Sequence, residues 1–418
     1  MLSTKQTAAA KPKIVVTGAS GVVGRQLVPA LRAKGADLLL VGRDAARLRK
    51  LFPSNEACSY SDLPKAARGY NTVIHLAVLN NDNAAASPED FAQANVALAL
   101  DVFQAARDAG IRRFVNVSSF HALDPSNRSP YAESKRDAAR QLSQLSNAND
   151  LAAVTVYFPA VVGENLAGKL AAVARLPRFA RKPMLTLLGA ARPTVNLDRV
   201  TETILNLSAP GLAVDREFIV ANDQEANPAY LLAKRGMDIA FSLIILVLFS
   251  WLLLAIGLVI RLQSDGPALF RQERLGKDRR PFTCYKFRTM DVRAPNVGSH
   301  EVSSSVITPV GRILRRTKLD ELPQAINILL NQMSLVGPRP CLPTQNDVIA
   351  ARERLGVFSI MPGITGLAQI RGIDMSTPET LAEWDARYMA TRSIVSDLQI
   401  ILATARGSGK GDAADKSD

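Results

Sequence analysis

Between Lys13 and Asn222 the chain alternates short apolar runs with stretches that are apolar along one side only. KIVVTG, LLLVGR, TVIHLA, RFVNVSS and AVTVYFP are continuous in hydrophobicity rather than alternating, the pattern of strands buried on both faces. With helical stretches between them they predict an α/β unit, a doubly wound parallel sheet covered on both sides. From Pro228 the pattern changes. Ile239–Ile260 is a run of 22 residues without a charge. A helix of that length reaches roughly 33 Å, enough for a bilayer core of about 30 Å. The pattern predicts a membrane helix over 237–262, then a basic segment, a helix around Pro323 to Met333, and Pro/Gly-rich connections such as VGPRP and MPGITG. This second unit reads as mainly α and membrane-associated.

Polar and low-complexity ends frame these units. The expected organisation is a flexible tail over 1–12, a first domain over 13–227, a second over 228–406, and a disordered tail over 407–418. No internal repeat is visible. The apolar run is basic on both sides, with Lys234 and Arg235 before it and Arg261, Arg271 and Arg274 after it. A simple crossing would export one basic flank, against the positive-inside tendency. A helix that enters the membrane, bends and returns on the same face satisfies both.

Composition sharpens this picture. The 418 residues are 47% hydrophobic, ample for two or three domains. The net charge of +13 is uneven: Arg261 to Arg293 holds nine Lys/Arg against four Asp/Glu. Beside a membrane segment such a patch fits inner-leaflet anionic lipids or phosphorylated substrates and argues against nucleic acid. Cys58, Cys284 and Cys341 are odd in number and scattered, as expected of reduced thiols in a cytosolic setting. No Cys/His spacing suits a metal, and the N-terminus lacks the apolar stretch of a cleavable signal peptide.

KIVVTGASGVVGRQLVPAL is an apolar strand, a Gly-rich turn and an amphipathic helix. Gly18, Gly21 and Gly24 let the backbone approach a pyrophosphate whose charge is stabilised at the helix N-terminus. Ser20 and Val23 of the same turn, with Asp62 and Ala77 further on, are additional candidates for contacting a dinucleotide. Arg43, at the end of the second strand, stands where an acidic residue would bind the ribose 2′-hydroxyl of NAD and where Arg faces a 2′-phosphate. Unless Arg43 and Asp44 are merely solvated charges, the cofactor is NADP(H) rather than NAD. Downstream, RFVNVSSFHAL precedes SPYAESKRDAA, giving Ser118, Ser119, Tyr131 and Lys135. Tyr131 and Lys135 share a helix face, and an ammonium there lowers the phenol's pKa for proton exchange with a carbonyl. Such a pair by itself is usually structural.

Taken together, residues 13 to 222 resemble the extended short-chain dehydrogenase/reductases that act on nucleotide sugars, a Rossmann-like fold. The resemblance implies that Tyr131 handles the proton, Lys135 holds the ribose and tunes Tyr131, and Ser119 binds the reacting oxygen. The family's dehydratases place Asp and Glu after this Ser or Thr, whereas Phe120 and His121 follow here. His121 is a candidate proton donor or a structural residue. The domain is also shorter than typical epimerases. NADPH would favour net reduction of a UDP-4-keto-6-deoxy sugar; C4-epimerisation and a non-catalytic cofactor-sensing scaffold remain the alternatives.

TKLDELPQAINILLNQMSLVGPRP places Asp320 and Glu321 just before Pro323, a favourable first-turn residue. Read blandly, Asp320 caps a helix and Glu321 complements its dipole. The chemical reading is a carboxylate nucleophile for a phosphoryl group, with Lys286, Arg288, Arg315, Arg316 and Arg339 as phosphate-binding candidates and Mg²⁺ completing the clamp. From about Lys234 to Ile401 the chain resembles the bacterial monotopic phosphoglycosyl transferases, through KRGMDI, LFRQERLGK, YKFRTM, LDELPQ, MSLVGPRP and PGITGLAQI. That resemblance implies that Asp320 takes the phospho-sugar from a UDP-sugar with release of UMP. Asp320 would also meet Mg²⁺, Glu321 would be its partner, and undecaprenyl phosphate would be the acceptor. Members with a re-entrant helix often carry Ser-Pro at the bend, but Trp251 follows Ser250 here. The bend would then rest on Ser250 bonding back to a carbonyl, on Gly257, or on the surrounding domain. The expectation is a bifunctional enzyme of the bacterial inner membrane, monotopic, with both catalytic domains facing the cytoplasm; a homodimer is left open.

Overall fold

The computed structural model describes residues 11–80, 86–148, 150–164, 166, 170–209, 216–291 and 306–408. The chain divides into two compact units, residues 1–185 with 193–222 and residues 186–192 with 223–418. In the first, β1 (Lys13–Thr17), β2 (Asp37–Val41), β3 (Glu56–Cys58), β4 (Thr72–His75), β5 (Arg113–Ser119) and β6 (Ala152–Phe158) are described in chain order. A small parallel pair, β7 (Ala160–Val162) and β8 (Thr194–Asn196), follows, and β9 (Glu217–Ile219) returns to the main sheet. That sheet has the order β3-β2-β1-β4-β5-β6-β9, parallel throughout. Side chains alternate across it. Ile14, Val16, Leu38 and Leu40 enter one core, while Val15, Leu39, Val41 and Val73 enter the other. Burial on both faces explains the continuous apolar runs. After β3 the chain crosses back to lay β4 beside β1, and the reversal opens a crevice at the carboxyl ends of these strands.

In the second unit the helix Pro228–Leu243 begins with Asn227 accepting from the backbone N–H of Ala229 and Tyr230. It continues through a π-helical turn, Ile244–Leu248, and breaks at Phe249 before the helix Ser250–Gln263. The two arms are bent by 62°, and no single helix among the described residues is long and apolar enough to cross a membrane. The bent helix expected over 237–262 is thus a pair of arms that meet at Phe249. Ser250 Oγ donates to Val247 O at 2.8 Å across the break. Gly257 lies inside the second arm facing Ala268, so it does not make the bend. Val247, Trp251, Leu254, Leu258 and Leu262 are all exposed by 60% or more, so both arms present large apolar side chains at the surface.

Two of the flanking cations turn inward. Lys234 Nζ donates to Val336 O and to Asp397, each at 2.9 Å, and Arg235 donates to the carbonyls of Ile328 and Leu329. Arg274 is buried as well, whereas Arg261 and Arg271 are exposed. The apolar run is thus flanked by fewer surface charges than the sequence suggests.

An antiparallel hairpin, β10 (Leu269–Leu275) and β11 (Pro281–Phe287), and a short parallel pair, β12 (Ser334–Val336) and β13 (Gly363–Thr365), complete the strands described. The helix expected from Pro323 to Met333 is instead a 3₁₀ turn, Leu319–Gln324, running into a helix that stops at Leu329. Asn331 then adopts φ 58°, and the chain turns toward β12.

Candidate active sites

The crevice of the first unit holds about 1030 Å³, and its walls include Gly18, Ser20, Gly21, Val23, Gly24, Arg43, Ala77, Ser119, Tyr131 and Lys135. Gly18 sits at φ +71°, where an added Cβ would lie 2.5 Å from the backbone nitrogen of Ala77. At Gly24 it would lie 2.5 Å from Gly18 O. These contacts draw the turn tight against β4 and leave backbone, not side chain, facing the crevice. A cradle of this shape and volume fits a dinucleotide.

Tyr131 and Lys135 lie on the helix Pro130–Asn147, whose start is fixed by Ser129 accepting from Ala132 N and by Pro130 in the first turn. Both side chains are buried, and Lys135 Nζ donates to Val117 O at 2.9 Å. Burial pulls the Lys135 ammonium down to about 8. The hydroxyls of Ser118 and Ser119 are buried without a hydrogen-bond partner among the described residues, as expected of groups awaiting a ligand. His121 is exposed, with its ring edge-on to Tyr131 at 6.0 Å between centroids.

Asp62 is not among the residues that line the crevice; its carboxylate accepts from Ser59 Oγ at 2.6 Å at the start of a short helix. Arg47, Tyr60 and Asp90 line the crevice and were not singled out from sequence. Arg47 was findable, since it follows Arg43 by one helical turn in the sequence. Asp44 caps the helix Ala45–Leu51 through Arg47 N, so its carboxylate is engaged locally.

In the second unit Asp320 and Glu321 lie in the 3₁₀ turn and are both 9% exposed. Neither caps a helix with its side chain; Lys318, left-handed at φ 57°, ends the preceding helix Pro309–Thr317 instead. Glu321 Oε1 accepts from Lys286 Nζ at 2.9 Å and pairs with Arg339 at 3.0 Å. Burial alone would raise its pKa, but Arg339 and Lys286 outweigh that and hold Glu321 well below the usual carboxylate range. Burial, then the neighbouring charge of Glu321, pushes the Asp320 carboxyl up against the pull of Lys286, Arg339 and Arg315. Two adjacent carboxylates are thus driven apart, the usual basis for dividing roles between them.

The candidate cations are not equivalent. Arg315 donates from Nε to Thr289 Oγ1, and its Nη1 is buried without a hydrogen-bond partner among the described residues. Arg316 is exposed. Arg288 is spent elsewhere: its guanidinium donates to the carbonyls of Ser264 and Asp265 and to Ser264 Oγ, securing the chain as it leaves the second arm. Arg274 was not marked from sequence as a site residue, yet it lines a cavity of about 10 Å³ beside Glu321, Lys286 and Arg339. No cluster of three or more His, Cys, Asp or Glu suited to a metal occurs among the described residues. Asp320 still fits Mg²⁺, which commonly takes one or two carboxylates and completes its shell with water and substrate phosphate.

A model of the NAD dependent epimerase/dehydratase family matches residues 14–223, just over half of the chain. A model of the bacterial sugar transferases matches residues 229–410. Over 182 residues the chain is 42% identical to the UDP-glucose:undecaprenyl-phosphate glucose-1-phosphate transferase of Caulobacter vibrioides, covering 41% of this chain and 68% of that protein. It is 36% identical over 187 residues to the UDP-N-acetylgalactosamine-undecaprenyl-phosphate N-acetylgalactosaminephosphotransferase of Aeromonas hydrophila, covering 43% of this chain and 44% of that protein. The chain therefore spans less than half the length of this longer relative. A solved structure, UDP-N-acetylglucosamine 4-epimerase from Bacillus cereus, is similar with 16% identity and a TM-score of 0.40, over 50% of this chain and 76% of that one. Two families are joined in one polypeptide: residues 14–223 belong to the NAD dependent epimerase/dehydratase family and residues 229–410 to the bacterial sugar transferases.

Proposed function

We propose that the second unit moves a sugar-1-phosphate from a UDP-sugar to undecaprenyl phosphate. The observation that carries this reading is the buried pair Asp320 and Glu321, with Lys286 and Arg339 on Glu321 and the charges of Lys286, Arg339 and Arg315 acting on Asp320. An Asp320 oxygen attacks the phosphorus bonded to the sugar, the P–O bond to UMP breaks, and an acyl-phosphate forms on Asp320. A phosphate oxygen of the polyprenol then attacks the same phosphorus, returning the Asp320 carboxylate and leaving a sugar-linked pyrophosphate. Glu321 stays ionised beside its two cations, and its charge holds Lys286 and Arg339 next to Asp320 and the phosphates. Mg²⁺, where bound at Asp320, neutralises charge on the pyrophosphate. The relatives' names support this donor and acceptor chemistry and differ in the sugar, glucose or N-acetylgalactosamine.

The first unit is read as the reductase of a UDP-4-keto-6-deoxy sugar. Arg43 and Arg47 line the crevice, and Asp44, which also lines it, has one carboxylate oxygen committed to a helix cap, which supports NADPH over NADH. NADPH supplies the hydride when bound. Tyr131 gives its phenolic proton to the oxygen that becomes a hydroxyl, Ser119 holds that oxygen, and Lys135 tunes the phenol. Both reactions use cytosolic ingredients, so both units are placed on the cytoplasmic face, anchored by the bent apolar arms.

Purified full-length protein given a panel of UDP-sugars and undecaprenyl phosphate should release UMP, and Asp320→Asn should abolish that release. Mass spectrometry finding no sugar-phosphate adduct at Asp320 in trapped enzyme would overturn the covalent step. For the first unit, UDP-4-keto sugar should consume NADPH absorbance; tightly bound NAD⁺ after purification would instead identify an epimerase.

A further inference from the structure

We infer that Arg352, clamped by Asp385, is a positioning residue for sugar-phosphate transfer: it fixes the main chain of Arg339 so that the Arg339 guanidinium meets Glu321. The inference rests on the reading of Asp320 and Glu321 given above. Arg352 lies on the helix Asn346–Arg354 and Asp385 on the helix Pro378–Thr391, each 2% exposed. Arg352 Nε and Nη2 both donate to Asp385 Oδ2, at 3.0 and 2.7 Å, and Nη1 donates to the carbonyl of Arg339 at 2.8 Å.

Stability does not explain such burial. An ion pair removed from water is often no more stable than an apolar pair filling the same volume. What the ion pair adds is direction. Arg339 stands between Pro338 and Pro340, in a loop with no regular structure to satisfy its backbone. Three consecutive carbonyls are nevertheless held: Arg339 O by Arg352, Pro340 O by Arg274 Nη1 at 2.9 Å, and Cys341 O by Leu275 N at 2.9 Å. With its main chain tethered, Arg339 directs its guanidinium onto Glu321 at 3.0 Å.

The rival explanation is that Arg352 merely satisfies a carbonyl. A thermodynamic cycle separates the two. UMP release by the full chain is measured for Arg352→Lys, whose ammonium keeps the charge but loses the planar fork that donates to Asp385 twice and to the carbonyl once. It is also measured for Arg352→Met combined with Asp385→Leu, which replaces the ion pair by an apolar one and removes the donor to Arg339 O. Each is made in the native background and with Arg339→Met.

In the native background kcat should fall about tenfold or more, since small displacements of a catalytic cation are costly. KM for the UDP-sugar should change less than twofold. With Arg339→Met the further loss should vanish, because nothing is left to position. Wild-type kcat in either folded variant would overturn the inference, as would an equal loss in both backgrounds. Thermal midpoints identify folded variants, and Arg352→Lys carries the test should the apolar pair fail to fold. Wild-type turnover by Glu321→Gln would instead remove the underlying reading of the carboxylate pair.

Discussion

The guanidinium of Arg339 and the carboxylate of Glu321 meet at 3.0 Å, on the same oxygen, Oε1, that accepts a hydrogen bond from Lys286. Glu321 therefore keeps its charge although it is buried, while no such ion pair is described for Asp320 at its side. Replacing Arg339 with Met should lower UMP release by about two orders of magnitude, the usual cost of removing one donor from a preorganised site. Arg339→Lys should fall between, because an ammonium keeps the charge but loses the planar fork. Steady-state UMP release measures both, and wild-type turnover by the Met variant would show that Arg339 does not serve the reaction.

Gly18 and Gly21 belong to one motif but should respond differently to a methyl group. At Gly18 the methyl would overlap the backbone of Ala77 on a left-handed residue, whereas at Gly21 the nearest atom is Gly18 O at 3.2 Å. Gly18→Ala should abolish dinucleotide binding and destabilise the fold by more than about 1 kcal/mol. Gly21→Ala should bind with modest loss. Cofactor titration and thermal unfolding read both. Equal effects would mean that close packing against Ala77 is not what sets the turn.

Much of this was legible because the physics is local. Strands β1, β2, β4, β5 and β6 are buried on both faces and announce themselves as apolar runs. The edge strands β3 and β9, Glu56–Cys58 and Glu217–Ile219, are three residues long and too short to show a period. Asp320 and Glu321 stood out by their motif, but their surrounding cations could not be ranked. Arg288 and Arg339 look alike in sequence, and only folding shows one spent on Ser264 and Asp265 and the other on Glu321. Asp62 is equally hard to rank, since nothing in its sequence neighbourhood shows that Ser59 engages its carboxylate. Lys234 and Arg235 read as membrane flanks, yet Asp397 and the carbonyls of Ile328 and Leu329 hold them inside.

Lys135 gives the first unit a pH signature. Its pKa falls from 10.5 to about 8 because burial disfavours the ammonium. Below the folded value both states carry the charge, and the full cost of burying it opposes folding. Between about 8 and 10.5 the unfolded chain still binds the proton while the folded chain has released it, so stability rises with pH across that window. The gain is of order 3 kcal/mol. Cys58 and Tyr70, raised by burial to about 11 and about 12, lower stability above about pH 9. The contribution of Lys135 is therefore read as the difference between wild type and Lys135→Met in urea unfolding of cofactor-free protein, followed by a probe in the first unit. That difference should grow with pH between about 8 and 10.5, and a pH-independent difference would place the ammonium in contact with solvent.

The bend at Phe249 decides how far the apolar arms reach. Laid as a symmetric V, arms bent by 62° each stand about 59° from the membrane normal. At 1.5 Å per residue the arm Ser250–Gln263 then penetrates only about 11 Å, within one leaflet of a core roughly 30 Å thick. Both ends of the pair should therefore face the cytoplasm. The three native cysteines are buried, so single cysteines introduced as Leu232→Cys and Gln263→Cys can be labelled against a quiet background. An impermeant maleimide should modify both in inverted membrane vesicles and neither in intact spheroplasts. Labelling of position 263 from outside would mean that the second arm crosses, and would separate the carboxylate pair from its cytosolic donor.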